Sequence, residues 1–148
     1  MIAIIRIHGI PSIDRDIANT LDRLRLRKKL VCTFIDEKNK VELGMLRKVE
    51  SFVFFDKISD ELAKKIIEKR GRYEGDKPVK KEDVDKILEG IKKGEWKIKK
   101  FFRLHPPIGG FKRSTKQSWQ DKGILGHNKE AAKLIERMLW TKPEEKIN

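Results

Sequence analysis

The sequence predicts a mixed α+β fold, a β-α-β-α-β core followed by a C-terminal helical extension that carries a basic strand and loop. Three observations carry this reading. Short β-branched and aromatic runs at 2–7, 30–35 and 52–55 are separated by amphipathic stretches of helix length. From Ser59 the composition shifts to alternating charge, and beyond Trp96 positive charge becomes concentrated. With 148 residues, 38% hydrophobic and 40% charged, the chain has regularly spaced apolar residues for a modest core and is folded rather than disordered.

Residues 2–7 read as a strand, ended by Gly9 and Pro11. Asp14 opens a helix whose apolar face is Ile17, Leu21 and Leu24. The run 30–35 is a second strand, closing at a turn from Asp36 to Asn39. A short helix over 41–50 follows, with Leu43, Met45, Leu46 and Val49 as its apolar set, and 52–55 is the third strand. Three strands and two helices make a two-layer unit over residues 1–57. Its expected hydrophobic cluster is Ile5, Ile17, Leu21, Val31, Ile35, Leu46, Val49 and Val53.

Residues 58–148 are expected to pack on that unit as an extension. Its helices fall at about 60–70, 82–93 and 129–140. Ser59 with Asp60 and Glu61 starts the first, and Gly71 stops it. Val84, Ile87, Leu88 and Ile91 form the stripe of the second, stopped by Gly94. Asn128 caps the third, whose stripe is Ala131, Leu134, Ile135, Met138 and Leu139, and Pro143 ends it. Between them lies a basic strand–loop over 96–127. The strand, 96–104, turns Trp96, Ile98, Phe102 and Leu104 (with Lys100) one way and Lys97, Lys99, Phe101 and Arg103 the other. The stretch 105–127 is punctuated by Pro and Gly and reads as loop.

Lys plus Arg number 36 against 23 Asp plus Glu, a net charge of +13 that calls for a polyanionic partner. Residues 96–129 hold nine basic residues against Asp121 alone, so +8 of that +13 sits in one segment and marks a phosphate-contacting surface. The candidate contacts are Lys97, Lys99, Arg103, His105, Gly109, Gly110, Phe111, Lys112, Arg113, Lys116, Gln117 and Lys122, joined by the basic junction Arg27, Lys28 and Lys29. Gly109 and Gly110 allow close backbone approach to a phosphate, and Ser114, Thr115 and Gln117 offer hydrogen bonds. Phe111 and Trp119 either stack on unpaired bases or pack in the core. Mutually repelling charges predict a loop over 105–117 that becomes ordered only on RNA.

Other function classes find no residues. No apolar run approaches the roughly 20 residues that span a bilayer. Arg6 interrupts the first apolar stretch too early for a signal peptide, so a cytoplasmic protein is expected. The single Cys32 excludes an internal disulfide and a cysteine zinc site, and reads as a buried thiol. Gly109 to Lys116 lacks phosphate-loop spacing, and His8, His105 and His127 share no metal-binding spacing. No nucleophile elbow is present. The expectation is a protein that is not an enzyme, with no cofactor, metal or small-molecule substrate.

Three stretches resemble one family. Ile4-Ile5-Arg6-Ile7 opens the chain as its first strand does. Thr20-Leu21-xx-Leu24-x-Leu26 with Arg27-Lys28-Lys29 matches the end of its first helix, and Leu43-Gly44-Met45-Leu46-xx-Val49 its second helix. The family is that of ribosomal large-subunit protein number 30, whose eukaryotic member is large-subunit protein seven. The segment from Phe102 to Phe111 is similar to a late signature of the long archaeal and eukaryotic forms. A long basic N-terminal arm of the eukaryotic kind is missing, which points to an archaeal-type member. The resemblance implies an antiparallel three-stranded sheet covered by two helices, related to the ferredoxin-like arrangement. It implies a structural role in the large ribosomal subunit, binding large-subunit ribosomal RNA with the 5S RNA and neighbouring ribosomal proteins close by. The residues alone leave open a non-ribosomal RNA-processing or nucleic-acid-packaging protein.

Overall fold

The computed structural model describes residues 1–7, 14–108 and 110–139. The expected turn at Gly9 and Pro11, His8, Gly109 and the stop at Pro143 lie outside the described residues.

The core elements are β1 (Ile2–Arg6), α1 (Arg15–Arg23), β2 (Val31–Ile35), α2 (Lys40–Val49) and β3 (Val53–Lys57). β1 is central and antiparallel to both neighbours, pairing Ile2 with Ile35 and Ile5 with Cys32 on one side, and Ile2 with Lys57 and Arg6 with Val53 on the other. Asn39 starts α2: its side-chain oxygen accepts the amides of Val41 (3.1 Å) and Glu42 (3.2 Å), while its Nδ2 donates to Glu42 Oε1. The α+β class is as the sequence predicts, and the antiparallel core is as the resemblance implies.

The extension adds α3 (Asp60–Arg70), α4 (Val84–Lys92), β4 (Phe102–Arg103), β5 (Ser114–Ser118), β6 (Gly123–His127) and α5 (Ala131–Met138). Ser59 Oγ accepts the Leu62 amide to start α3. α3 ends at Gly71, where a β-carbon would lie 2.5 Å from the Ile67 carbonyl oxygen, so the position suits only glycine. Gly94, at φ +87°, turns the chain out of α4. Asn128 acts one turn ahead of α5, its Oδ1 accepting the Glu130 amide at 2.8 Å.

Two expected elements are corrected. The strand over 96–104 shrinks to Phe102–Arg103, because the preceding backbone bonds elsewhere. The Lys99 amide donates to the Arg72 carbonyl (2.9 Å) and the Lys100 carbonyl accepts Thr33 Oγ1 (2.9 Å). The supposed loop 105–127 contains β5, a 3₁₀ turn at Trp119–Asp121 and β6. The result is one six-stranded sheet in the order β4-β2-β1-β3-β6-β5, with β6 parallel to both β3 and β5. β5 and β6 approach so closely that a β-carbon on Gly123 would lie 1.9 Å from the Gln117 carbonyl oxygen.

β1 and β2 are buried on both faces, so the extension adds a third layer to the two-layer unit expected over residues 1–57. Alternate strand residues face opposite ways. Ile2, Ile4, Val31, Ile35 and Val53 pack with Leu21, Leu24 and Leu26 from α1 and its exit, and with Leu46 and Val49 of α2. Ala3, Ile5, Cys32, Phe34 and Phe54 pack with α3, α4, α5 and Phe102. Ile5 therefore belongs to the face under the extension, not to the cluster expected under α1 and α2. An unbroken apolar run such as Ile2-Ala3-Ile4-Ile5 gives no alternation from which to read its parity. The other expected members of that cluster do lie on the α1–α2 face, with Ile17 partly buried.

Candidate nucleic-acid interface

The sheet order decides where the basic residues lie. β4 and β5 are opposite edges, separated by five strand spacings, on the order of 24 Å at about 4.8 Å each. The basic segment 96–129 is thus divided between two edges and does not form one continuous surface.

At the β4 edge, sequence-distant cations converge. β2 pairs with β4 so that Val31 lies opposite Arg103, which brings the junction just before Val31 beside the segment just before Arg103. Arg25 sits at φ +67° and turns the chain out of α1. The buried Arg6 donates from Nη1 to the Leu26 carbonyl at 2.8 Å, and the Leu30 carbonyl accepts the Leu104 amide at 3.0 Å. These bonds fix the junction against β1 and β4. The resulting groove, about 630 Å³, is lined by Arg25, Arg27 and Lys28 from the junction and by Lys97, Lys99, Lys100 and Arg103 from the extension. Glu74 is the one carboxylate among its lining residues.

Some of that charge is already engaged. Arg27 pairs with Asp22 at 2.7 Å and Lys99 with Asp76 at 2.7 Å. Hydrogen bonding to Lys99, with its charge and that of Arg103 adding, holds the Asp76 carboxyl below its ordinary range. Arg25, Lys28 and Lys97 make no ion pair among the described residues and are exposed. At the groove wall the half-buried Phe101 ring has Lys99 Nζ 6.0 Å and the Arg103 guanidinium 5.8 Å from its centroid. It packs on the α1–α2 core from outside.

Of the sequence candidates, Arg27, Lys28, Lys97, Lys99 and Arg103 come together here. Lys29 is exposed beside the groove without lining it. Arg25, Lys100 and Phe101 were missing from the candidate set. Their proximity to chosen cations was a signal, since Lys100 and Phe101 lie between Lys99 and Arg103. Arg25 could be found only once β2 was paired with β4.

The remaining candidates lie towards α5 and the β5 edge. His105 and Ile108 donate their amides to Met138 and Arg137 carbonyls. Arg137 Nη1 in turn donates to the carbonyls of Ile108 (3.0 Å) and Gly110 (2.8 Å). The protein itself therefore supplies partners to His105, Ile108 and Gly110, contrary to the expectation that this stretch lacks internal ones. Desolvation, with the Arg70 charge adding, lowers the His105 imidazole below its ordinary value. Phe111 packs against the core under the extension. Trp119 is half-buried beneath the Arg113 guanidinium, 4.0 Å from its ring centroid, and Arg113 Nε donates to the Lys122 carbonyl. Lys112, Lys116, Gln117 and Lys122 are exposed.

A larger cleft of about 910 Å³ opens beside β5 and β6. Its lining balances Lys116 and Lys129 with Glu50 and Asp121, so it has no strong preference for anions. Charge, not size, singles out the β4-edge groove. Among the described residues no group of His, Cys, Asp and Glu could hold a metal ion, and no helix is long and apolar enough to cross a membrane.

Comparison with known proteins agrees with the fold. The model of the family "Ribosomal protein L30p/L7e" matches residues 2–53, from β1 to the start of β3. Large ribosomal subunit protein uL30 of the archaeon Staphylothermus marinus is 40% identical, over 93% of this chain and 97% of its own. The uL30 proteins of Aeropyrum pernix and Nitrosopumilus maritimus are 36% and 33% identical, each over 93% of this chain, covering 98% and 97% of their own lengths. These relatives align through the extension as well as the core. The proteins of this family are ribosomal components and not enzymes. From a match that covers nearly the whole length of its archaeal relatives, the chain belongs to the ribosomal protein L30p/L7e family.

Proposed function

We propose that the chain is a structural constituent of the large ribosomal subunit in the cytoplasm, where it binds large-subunit ribosomal RNA and stabilises its folded form. The relatives named as large-subunit proteins support the assembly. The observation that carries the RNA contact is the β4-edge groove, with seven cations against one carboxylate. Phosphates neutralised there release condensed counterions, a sequence-independent gain suited to holding a folded RNA in place. The cations Lys112, Arg113, Lys116 and Lys122, with Gln117, supply a second, weaker contact at the β5 edge, and Lys29 extends the first. The backbone at Gly109 and Gly110 and the His105 side chain complete the contact set. Proximity to the 5S RNA and contacts with neighbouring ribosomal proteins are part of the same reading, on the strength of the family. Within this chain, residues 1–57 act as the core domain and 58–148 as the extension packed on it.

The test is sedimentation of tagged protein through a sucrose gradient of cell extract. The protein is expected with the large subunit, and Arg25, Lys97 and Arg103 together changed to Ala should shift it towards the top. Wild-type protein remaining at the top, while binding isolated duplexes, would favour a nucleic-acid-packaging protein outside the ribosome.

A further inference from the structure

The groove at the β4 edge holds more than charge. A surface that only neutralises phosphates has no use for an aromatic ring among its cations, yet Phe101 forms part of this wall. The half-buried Phe101 packs against the α1–α2 core and also lines the groove. Lys99 Nζ and the Arg103 guanidinium lie over the ring, 6.0 and 5.8 Å from its centroid. The groove volume of about 630 Å³ suits a ligand of small-molecule size. A stacked duplex presents backbone to such a groove and keeps its base faces inside the helix.

We infer that the groove takes an unpaired nucleotide, its base stacked on Phe101 and the flanking phosphates held by Arg25 and Lys28 on one wall and by Lys97 and Arg103 on the other. This deepens the RNA-binding reading proposed above and rests on it. It names the substrate class: a bulged or single-stranded nucleotide rather than continuous helix. Stacking on an aromatic face tolerates any base, so the site selects for an exposed base and not for its identity.

The experiment compares two RNA probes by fluorescence anisotropy, a hairpin carrying one bulged adenosine and the same hairpin with the bulge deleted. Wild-type protein should prefer the bulged hairpin. Phe101→Leu keeps an apolar plug on the core but removes the flat face, and should weaken binding to the bulged hairpin by roughly tenfold or more with little change on the other. Phe101→Trp should keep the preference, and serves alone if a melting curve shows the leucine variant unfolded. The double variant Lys97→Ala, Arg103→Ala should weaken both probes. Equal wild-type affinity for the two hairpins, or an undiminished preference in folded Phe101→Leu, overturns the stacking site. So does loss of the preference in folded Phe101→Trp. If the charge variant loses no affinity for either hairpin, the groove is not the RNA-binding surface and both readings fall.

Discussion

Changing Phe54 to Ala tests the three-layer arrangement at its centre. Phe54 lies on β3, paired with Ile5 of β1 on one side and Gly126 of β6 on the other, and is fully buried among residues of the extension helices. Its neighbour Phe55 faces the α1–α2 side, is only partly buried and stacks on His127 at 5.6 Å. Removing a fully enclosed phenyl ring loses its transfer energy and leaves a cavity that sheet and helices cannot both close, so Phe54→Ala should cost about 3–5 kcal/mol. Phe55→Ala removes a half-exposed ring and should cost about 1–2 kcal/mol. Against a typical domain stability of roughly 5–15 kcal/mol, the first change approaches unfolding and the second does not. Urea titration followed by tryptophan fluorescence is suitable, because Trp96 lies 6.2 Å from Phe34 in the same layer. If Phe54→Ala cost less than about 0.5 kcal/mol, that face would be open to solvent and the extension would not cover it.

Three further outcomes are expected. Leu21→Ala, at a fully buried position on α1, should cost about 2–5 kcal/mol in the same titration; a loss below about 0.5 kcal/mol would contradict the helix-face assignment. Burial pushes the Cys32 thiol well above its ordinary range, so a thiol reagent in mildly alkaline buffer should label it only on unfolding. Rapid labelling of folded protein would place it at the surface. Asp76 is held below its ordinary range by Lys99, so its contribution is full above the unfolded-state pKa and lost as pH falls through the lowered one. The stability difference between wild type and Asp76→Asn should therefore shrink in acid, and a difference independent of pH would show that the pair does not stabilise the fold.

What the sequence revealed depended on the kind of signal each element carries. The stripes Val84-Ile87-Leu88-Ile91 and Leu134-Ile135-Met138 have helical period, and all seven residues are buried. Ser59 and Gly71, read as the start and stop of α3, likewise act locally, whereas Asn39, read as part of a turn, also caps α2. β5, Ser-Thr-Lys-Gln-Ser, has no alternation to detect, and β6 is short, begins at Gly123 and contains Gly126, glycines that read as loop punctuation. Both exist because β3 offers an edge, a tertiary cause that overrides local preference. The same gap explains the site. Sequence located the positive charge; of the two sides expected over 96–104, Ile98, Phe102 and Leu104 are buried and Lys97 and Arg103 exposed, while Trp96, Lys99 and Phe101 are half-buried and Lys100 is exposed. Strand order then split that charge between two edges and joined one part to Arg25, Arg27 and Lys28, and no local pattern encodes strand order.

The central claim is that the β4-edge groove is the RNA-binding surface, and the salt dependence of affinity tests it most directly. Arg25, Lys97 and Arg103 changed together to Ala should weaken binding to a large-subunit ribosomal RNA fragment and flatten the plot of log affinity against log salt by roughly two to three units, about one per lost phosphate contact. The comparison set is Lys64, Lys65 and Lys69 on α3, where Lys64 and Lys65 are already paired with Asp85 and Glu136. Changing those three should alter affinity and slope far less. An α3 variant that loses as much slope as the groove variant would contradict the account and place the RNA on another face.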